Sequence, residues 1–117
     1  MVVVVPSMDL TVQATLDDIK SDAVAVLREM VKKVEPYGIK LSLEFCGCPT
    51  MSINRFEDAY AIVEEVNHPL VGVTLDQYHF HAMASGWDAL EKACRPSAKT
   101  GAWMNFSRLS WKQAKST

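Results

Sequence analysis

The segment Val71 to His81, with the sequence Val-Gly-Val-Thr-Leu-Asp-Gln-Tyr-His-Phe-His, carries the strongest structural signal in the chain. Its apolar part, Val71 to Leu75, is rich in β-branched residues and predicts a buried strand. Asp76 follows this strand directly, and His79 comes three residues later. In barrels of parallel strands, metal ligands and catalytic groups lie at the carboxyl ends of the strands. Spacing alone leaves an alternative open, in which Asp76 caps the loop backbone and His79 is an ordinary loop residue.

A second short strand upstream also ends in an acid. Lys40 to Phe45, with the sequence Lys-Leu-Ser-Leu-Glu-Phe, is apolar at alternate positions and contains Glu44 near its end. A helical segment separates it from the strand before Asp76, so the two strands are consecutive and we expect their acids side by side at one edge. Two hard oxygen ligands in that position suit a divalent cation.

The rest of the chain alternates strands and helices. Four valines, Val2 to Val5, predict a central strand covered on both faces, and the chain opens on them as though inside a larger unit. The β-α-β-α-β-α order predicts an α/β fold with a parallel sheet and right-handed crossovers. Residues 77–84 are expected to form a loop. The expected helix starts are Thr15 with Asp18, Asn54 with Glu57, and Ser85 with Asp88.

Composition narrows the class of protein. A chain of 117 residues with 49% apolar residues fits one small domain. A net charge of −2 provides no basic field, so binding to nucleic acid through charge is not expected. No apolar run approaches the roughly 18 residues of a membrane span. Three cysteines without a Cys-x-x-Cys pair predict reduced thiols and a cytoplasmic location.

The last part of the chain has a different character. No acidic residue occurs from Ala93 to Thr117, and no helical or alternating period can be found there, nor a fourth strand ending in a ligand. We therefore divide the chain into residues 1–93 and an atypical basic tail, residues 94–117. The tail is expected to arise by truncation or a shifted reading frame. The alternative is a genuine ending that folds back over the sheet on Trp103, Phe106 and Trp111.

Three segments together resemble a known family. They are Leu43-Glu44-Phe45 through Asn54, Phe56-Glu57-Asp58-Ala59-Tyr60, and Leu75 to Met83, and the turn from Glu35 to Gly38 adds to the likeness. The resemblance is to sugar phosphate isomerases and epimerases, which are xylose isomerase-like TIM barrels, and within them to the inosose isomerase type. It implies a partial (β/α)8 barrel over residues 1–93, with three consecutive βα units and parallel strands.

The resemblance also implies a site. Glu44 and Asp76 would be ligands of a divalent metal ion (Mn, Mg, Co or Zn), and His79 would contact the hydroxyl or carbonyl oxygens of a sugar or cyclic polyol. The implied reaction is isomerisation or epimerisation through an enediolate, with Glu44 as ligand and base together. Family members take a further His and a final Glu from two later strands, which lie beyond this chain.

Other interpretations stay open. Endonuclease IV-like phosphodiesterases share the barrel and an Asp-x-x-His pattern but need further histidines, which residues 2–36 lack. A truncated, non-catalytic remnant is the third possibility. Cys46 and Cys48 are interpreted as loop residues rather than a soft-metal site, which would need more thiols or imidazoles. Three strands cannot close a barrel, so self-association through open sheet edges is expected.

Overall fold

The computed structural model describes residues 1–7, 13–95 and 103–106. None of the helices described there is long and apolar enough to cross a membrane. The elements in chain order are β1 (Val2–Val4), α1 (Leu16–Val34), a 3-10 turn (Glu35–Tyr37), β2 (Leu41–Glu44), α2 (Phe56–Val66), β3 (Val71–Leu75), α3 (Gln77–Ala82), α4 (Trp87–Cys94) and β4 (Met104–Phe106).

The strands form one parallel sheet in the order β1-β2-β3-β4. The α/β architecture and the three predicted parallel strands are confirmed. The prediction that the first strand is central and covered on both faces is wrong, because β1 lies at the edge of this sheet and its Val2 and Val3 are exposed. The fourth strand, Met104–Phe106, was not predicted. The expectation concerned a fourth strand that ends in a ligand, and the residues that follow Phe106 lie outside the described part of the chain. Three residues are too few to show a period, and their pairing with β3 is a non-local contact that local patterning does not reveal.

Alternate residues of the strands face the helices and form the core. Leu41, Leu43, Val71 and Val73 are all buried on this face, where α1 and α2 cover them. The helices add apolar side chains at helical spacing. Those that are buried are Val24, Leu27, Val31, Phe56, Ala59, Tyr60, Ile62, Val63 and Val66.

Two helix starts differ in how they are capped. Thr15 and Asp18 form the predicted capping box at the start of α1. The predicted cap of α2 by Asn54 is wrong, because the Asn54 side chain instead donates to the Cys48 carbonyl at 3.2 Å, and Arg55 holds the N-cap position. The Phe56 amide at the start of α2 donates to Ser85 Oγ at 3.0 Å.

Ser85 was expected to start the helix that follows it. That helix, α4, instead begins after Gly86, which makes no side-chain cap, so this prediction is also wrong. Ser85 is buried, and its hydroxyl is used by α2. The Gly86 amide in turn donates to Glu57 Oε2 at 3.1 Å, so the starts of α2 and α4 satisfy each other.

The segment after β3 is helical. Residues 77–84 were expected to form a loop, but Gln77–Ala82 is α3. Asp76 is its N-cap, and its Oδ1 accepts from the Tyr78 amide at 2.8 Å. This cap explains why a polar sequence of low periodicity forms a helical turn directly after the strand.

The opposite face of the sheet lies away from the helices. Gly72 is on this face, and the Trp103 ring packs so closely that an added Cβ at Gly72 would lie 2.5 Å from its Cδ2. Lys40 Nζ lies 5.2 Å from the same ring. Trp103 thus contacts the sheet as the fold-back alternative expects, whereas Trp111 lies outside the described residues. The division at residue 93 and the origin of the tail stay predictions.

Candidate metal centre

The two strand-end acids lie at the same edge of the sheet. Glu44 ends β2 and pairs in register with Thr74 of β3, and Asp76 follows that residue by two positions. Side chains alternate along a strand. Glu44 therefore projects away from the helices, since its neighbours Leu43 and Phe45 are buried in the core. The carboxyl ends of two adjacent parallel strands thus supply both carboxylates, as the sequence predicts.

His79 joins the two acids. One potential ligand atom from each of Glu44, Asp76 and His79 lies within 4.8 Å of the other two, and all three residues are partly buried. α3 brings the imidazole back over the strand end, because its cap at Asp76 turns the chain within one helical turn. The structure therefore brings together every residue that the sequence singled out for the site. The roles assigned to them stay predictions.

Asp76 serves the fold while it faces the site. Its Oδ1 accepts the Tyr78 amide, which is the capping role left open as an alternative from sequence. An ionised carboxylate has about four lone-pair positions, so one such bond leaves capacity for a cation. Capping and metal ligation are therefore compatible at this residue.

The site is polar beneath the acids as well. Ser42 and Thr74 are buried on the same face of β2 and β3, and their hydroxyls are 2.5 Å apart. Each hydroxyl can both donate and accept a hydrogen bond, so the two buried hydroxyls satisfy each other. The Ser42–Thr74 pair ties the two strands together directly below the carboxylates.

The family of the chain follows from comparison with known proteins. The model of the family "Xylose isomerase-like TIM barrel" matches residues 1–106. The chain belongs to this family. A curated inosose isomerase of Bacillus subtilis (strain 168) is 48% identical over 77 residues, which are 66% of this chain and 28% of that protein. Another, from Halalkalibacterium halodurans, is 47% identical over 76 residues, covering 65% and 27% of the two chains.

A solved structure supports the same relationship. A crystal structure of the IOLI protein with a binding zinc atom superposes with a TM-score of 0.74 and 43% identity, covering 77% of this chain and 32% of that one. The chain therefore spans less than a third of the length of these relatives. In a xylose isomerase-like TIM barrel the sheet face that carries Glu44 and Asp76 is the barrel interior, and its carboxyl end is the mouth of the barrel.

Sequence reasoning missed the part played by the loop after β2. The Gly47 amide donates to His79 Nδ1 at 3.0 Å, and an added Cβ at Gly47 would lie 2.5 Å from the His79 carbonyl oxygen and 2.8 Å from its Cα. A glycine three residues after a strand that ends in an acid was the available signal, since close backbone approach requires the absence of a side chain. Gly47 lets this loop lie directly against α3.

The cysteines of this loop differ from each other. Burial, followed by the nearby carboxylates of Glu44 and Asp76, raises the pKa of the Cys46 thiol. The hydrogen bond to the Thr50 side chain lowers the pKa of the exposed Cys48 thiol. Within the described part of the chain, the only group of potential metal ligands is the one that contains Glu44 and no thiol. A soft-metal site at the cysteines therefore gains no support.

The other histidines lie apart from this cluster. His81 is exposed on α3. His68 closes the turn before β3, where its Nδ1 accepts from the Leu70 amide at 3.1 Å and its Nε2 lies 3.3 Å from Glu35 Oε1. Neither belongs to the group of potential ligands around Asp76.

Proposed function

We propose that this chain carries part of the active site of a metal-dependent sugar or inosose isomerase or epimerase. The observation that carries the proposal is the convergence of Glu44, Asp76 and His79 at the carboxyl ends of two adjacent parallel strands. Membership of the xylose isomerase-like family and similarity to inosose isomerases support it. The substrate class is a small keto sugar or cyclic keto-polyol.

The residues fit a divalent cation. Metal–ligand bonds of about 2.0–2.2 Å place two ligand atoms on one ion at most about 4.4 Å apart. The three candidate atoms lie within 4.8 Å of one another, so shifts of a few tenths of an ångström would bring the carboxylate oxygens of Glu44 and Asp76 to one ion, with His79 beside it. Carboxylates are ligands for Mg²⁺ and Mn²⁺ and also for Zn²⁺ and Co²⁺. The IOLI structure contains zinc, which supports a divalent ion without deciding which one this chain prefers.

Each of the three side chains has a different role in the proposed reaction. A bound cation would act as a Lewis acid on the substrate carbonyl and so acidify the neighbouring C–H bond. Glu44 accepts the proton released from that carbon and returns it to the former carbonyl carbon, through an enediolate, while the proton of the neighbouring hydroxyl passes to the former carbonyl oxygen. His79 donates a hydrogen bond to a substrate oxygen and orients it. Asp76 holds negative charge beside Glu44 and thereby favours cation binding.

Metal binding is the first test of this function. Titration calorimetry with Mn²⁺ or Zn²⁺ should show a dissociation constant of about 10⁻⁴ M or weaker, typical of sites with few protein oxygens. Glu44→Gln should weaken binding at least tenfold, while Glu65→Gln, at an exposed position of α2, is the matched control. Binding that is unaffected by Glu44→Gln would overturn the assignment of the site.

Proton exchange tests the chemistry directly. With inosose in D₂O and saturating metal, deuterium should enter at the carbon next to the carbonyl, and Glu44→Gln should abolish the incorporation. Since the chain spans less than a third of its relatives, complementation with the remaining part of a relative is the stronger format. Metal binding without any exchange in the complemented protein would instead support the non-catalytic remnant.

The phosphodiesterase alternative lacks support from the site. The group of potential ligands found in the described residues contains a single histidine, His79, whereas that chemistry needs a cluster of metals held by several. We place the protein in the cytoplasm, where its three free cysteines stay reduced. Self-association through open sheet edges belongs to the same proposal.

A further inference from the structure

The ring nitrogens of His79 are not equivalent. Its Nδ1 accepts a hydrogen bond from the Gly47 amide, with a nitrogen–nitrogen distance of 3.0 Å. A backbone N–H can only donate, so Nδ1 must carry a lone pair. In a neutral imidazole one nitrogen is a donor and the other an acceptor. The proton of neutral His79 is therefore on Nε2.

We propose that Gly47 is a positioning residue: its backbone N–H holds His79 as the Nε2–H tautomer, so that His79 donates a hydrogen bond to substrate and does not coordinate the metal. This inference rests on the proposed function of the same site. Distances alone would allow three ligands, since one ligand atom from each of the three side chains lies within 4.8 Å of the other two. With Nδ1 occupied, coordination through Nε2 would require a ring that carries no proton on either nitrogen. The two carboxylates are then the metal ligands that this chain supplies.

The loop that presents the Gly47 amide is held by its own backbone. The backbone amide of Cys46 donates to the Ile53 carbonyl at 3.1 Å. The backbone amide of Cys48 donates to the Cys46 carbonyl at 2.7 Å, and this bond closes a tight turn around Gly47. The turn aims the Gly47 amide at α3, and the missing side chain permits the close approach to the His79 backbone. The donor is therefore fixed before substrate or metal binds.

The tautomer can be measured without any enzymatic activity. In ¹⁵N-histidine-labelled protein at about pH 8, above the ordinary imidazole pKa of about 6.5, long-range ¹H–¹⁵N correlation distinguishes protonated from unprotonated ring nitrogens. His79 should show a protonated Nε2 and an unprotonated Nδ1. His68, whose Nδ1 accepts from the Leu70 amide, is an internal reference for this state. His81 is exposed, so its ring reports the mixture of the two neutral tautomers expected for an unconstrained imidazole.

A variant tests whether Gly47 is the cause. Gly47→Ala should move the ¹⁵N chemical shifts of the His79 ring toward those of His81, whose two tautomers are mixed. The ring shifts of His68 should stay unchanged. Gly86→Ala is the matched control, because the nearest atom to its added Cβ would be Glu57 Oε2 at 4.0 Å. A folded Gly47→Ala protein with unchanged His79 shifts would overturn the proposal. If this variant does not fold, the unsubstituted protein still decides, since a protonated Nδ1 there would refute the argument.

Zinc addition tests the second half of the proposal. Zinc should shift the carboxylate ¹³C signals of Glu44 and Asp76 and leave Nε2 of His79 protonated. Loss of the Nε2 proton on zinc binding would show that His79 is a ligand and would overturn the inference. Failure of zinc to shift either carboxylate would count against the proposed function, while the tautomer result in metal-free protein would stand on its own.

Discussion

Asp76 has two roles, and the substitutions Asp76→Asn and Asp76→Ala separate them. Its Oδ1 caps α3 by accepting the Tyr78 amide at 2.8 Å, and its charge stands beside Glu44 in the candidate metal centre. Asparagine is about as good an N-cap as aspartate, whereas alanine cannot cap. Asp76→Asn thus removes the charge and keeps the cap, and Asp76→Ala removes both.

The structure sets the size of each effect. Two unit charges within 4.8 Å of each other repel by roughly 1 kcal/mol in a water-like dielectric, the appropriate choice for partly exposed groups. Both Asp76 variants lose this repulsion in metal-free protein, but only Asp76→Ala also loses a cap of about 1 kcal/mol. Loss of the negative charge at the helix start costs about 0.3 kcal/mol. We therefore expect Asp76→Asn to be at least as stable as the unsubstituted chain and about 1 kcal/mol more stable than Asp76→Ala.

Urea unfolding with and without metal measures both roles. At a metal concentration ten times the dissociation constant, the unsubstituted chain should gain about 1.4 kcal/mol of unfolding free energy, and both Asp76 variants should gain much less. Glu44→Gln is the matched reference, since it removes the same repulsion with no cap involved. Equal stability of Asp76→Asn and Asp76→Ala would refute the capping argument. A full metal response in Asp76→Asn would refute the assignment of Asp76 as a ligand.

Three further predictions concern the packing, the sheet edge and the loop. Ser85→Ala should lower the unfolding free energy, measured in urea, by about 1–2 kcal/mol, because the buried Phe56 amide at the start of α2 loses its hydrogen-bond acceptor. A change below about 0.3 kcal/mol would contradict this. The chain should sediment as a self-associated species, and Val3→Lys on the edge strand β1, where this valine is 43% exposed, should shift it toward monomer; a monodisperse unsubstituted monomer would disprove the edge argument. Iodoacetamide should alkylate Cys48 before Cys46 near neutral pH, because a lowered pKa gives more thiolate at a given pH and a raised one gives less. Thr50→Val should slow the Cys48 reaction, and an unchanged rate would exclude the hydrogen bond as the cause.

The fold was predictable where the signal is local. Strands β2 and β3 are short segments with apolar residues facing the core, and the helices that precede them, α1 and α2, have a clear helical period, so the order of strands and helices follows from periodicity alone. Glu44 and Asp76 stand at strand ends, and parallel pairing then brings them together without any further information. The strand-end rule therefore accounts for the placement of both acids.

What could not be predicted depends on contacts between distant segments. Ser85 caps a helix that begins 29 residues earlier, so the local rule assigned it to the helix that follows. Strand β4 pairs with β3 across a long connection, and its three residues contain no period of their own. Local sequence rules describe a residue's neighbours along the chain, whereas these partners are neighbours only after the sheet has formed.

The contact between Gly47 and His79 shows why such tertiary partners matter for chemistry. Sequence and family resemblance supply the type of each group at the strand ends, but a histidine can serve as ligand, donor or base. The choice among these roles depends on which ring nitrogen is already occupied, and here a backbone amide 32 residues away occupies it. A search for chemically reactive side chains overlooks such a group, since glycine has none. In this site the placement of the acids follows from the sequence pattern, whereas the tautomer proposed for the imidazole follows from the loop that packs against it.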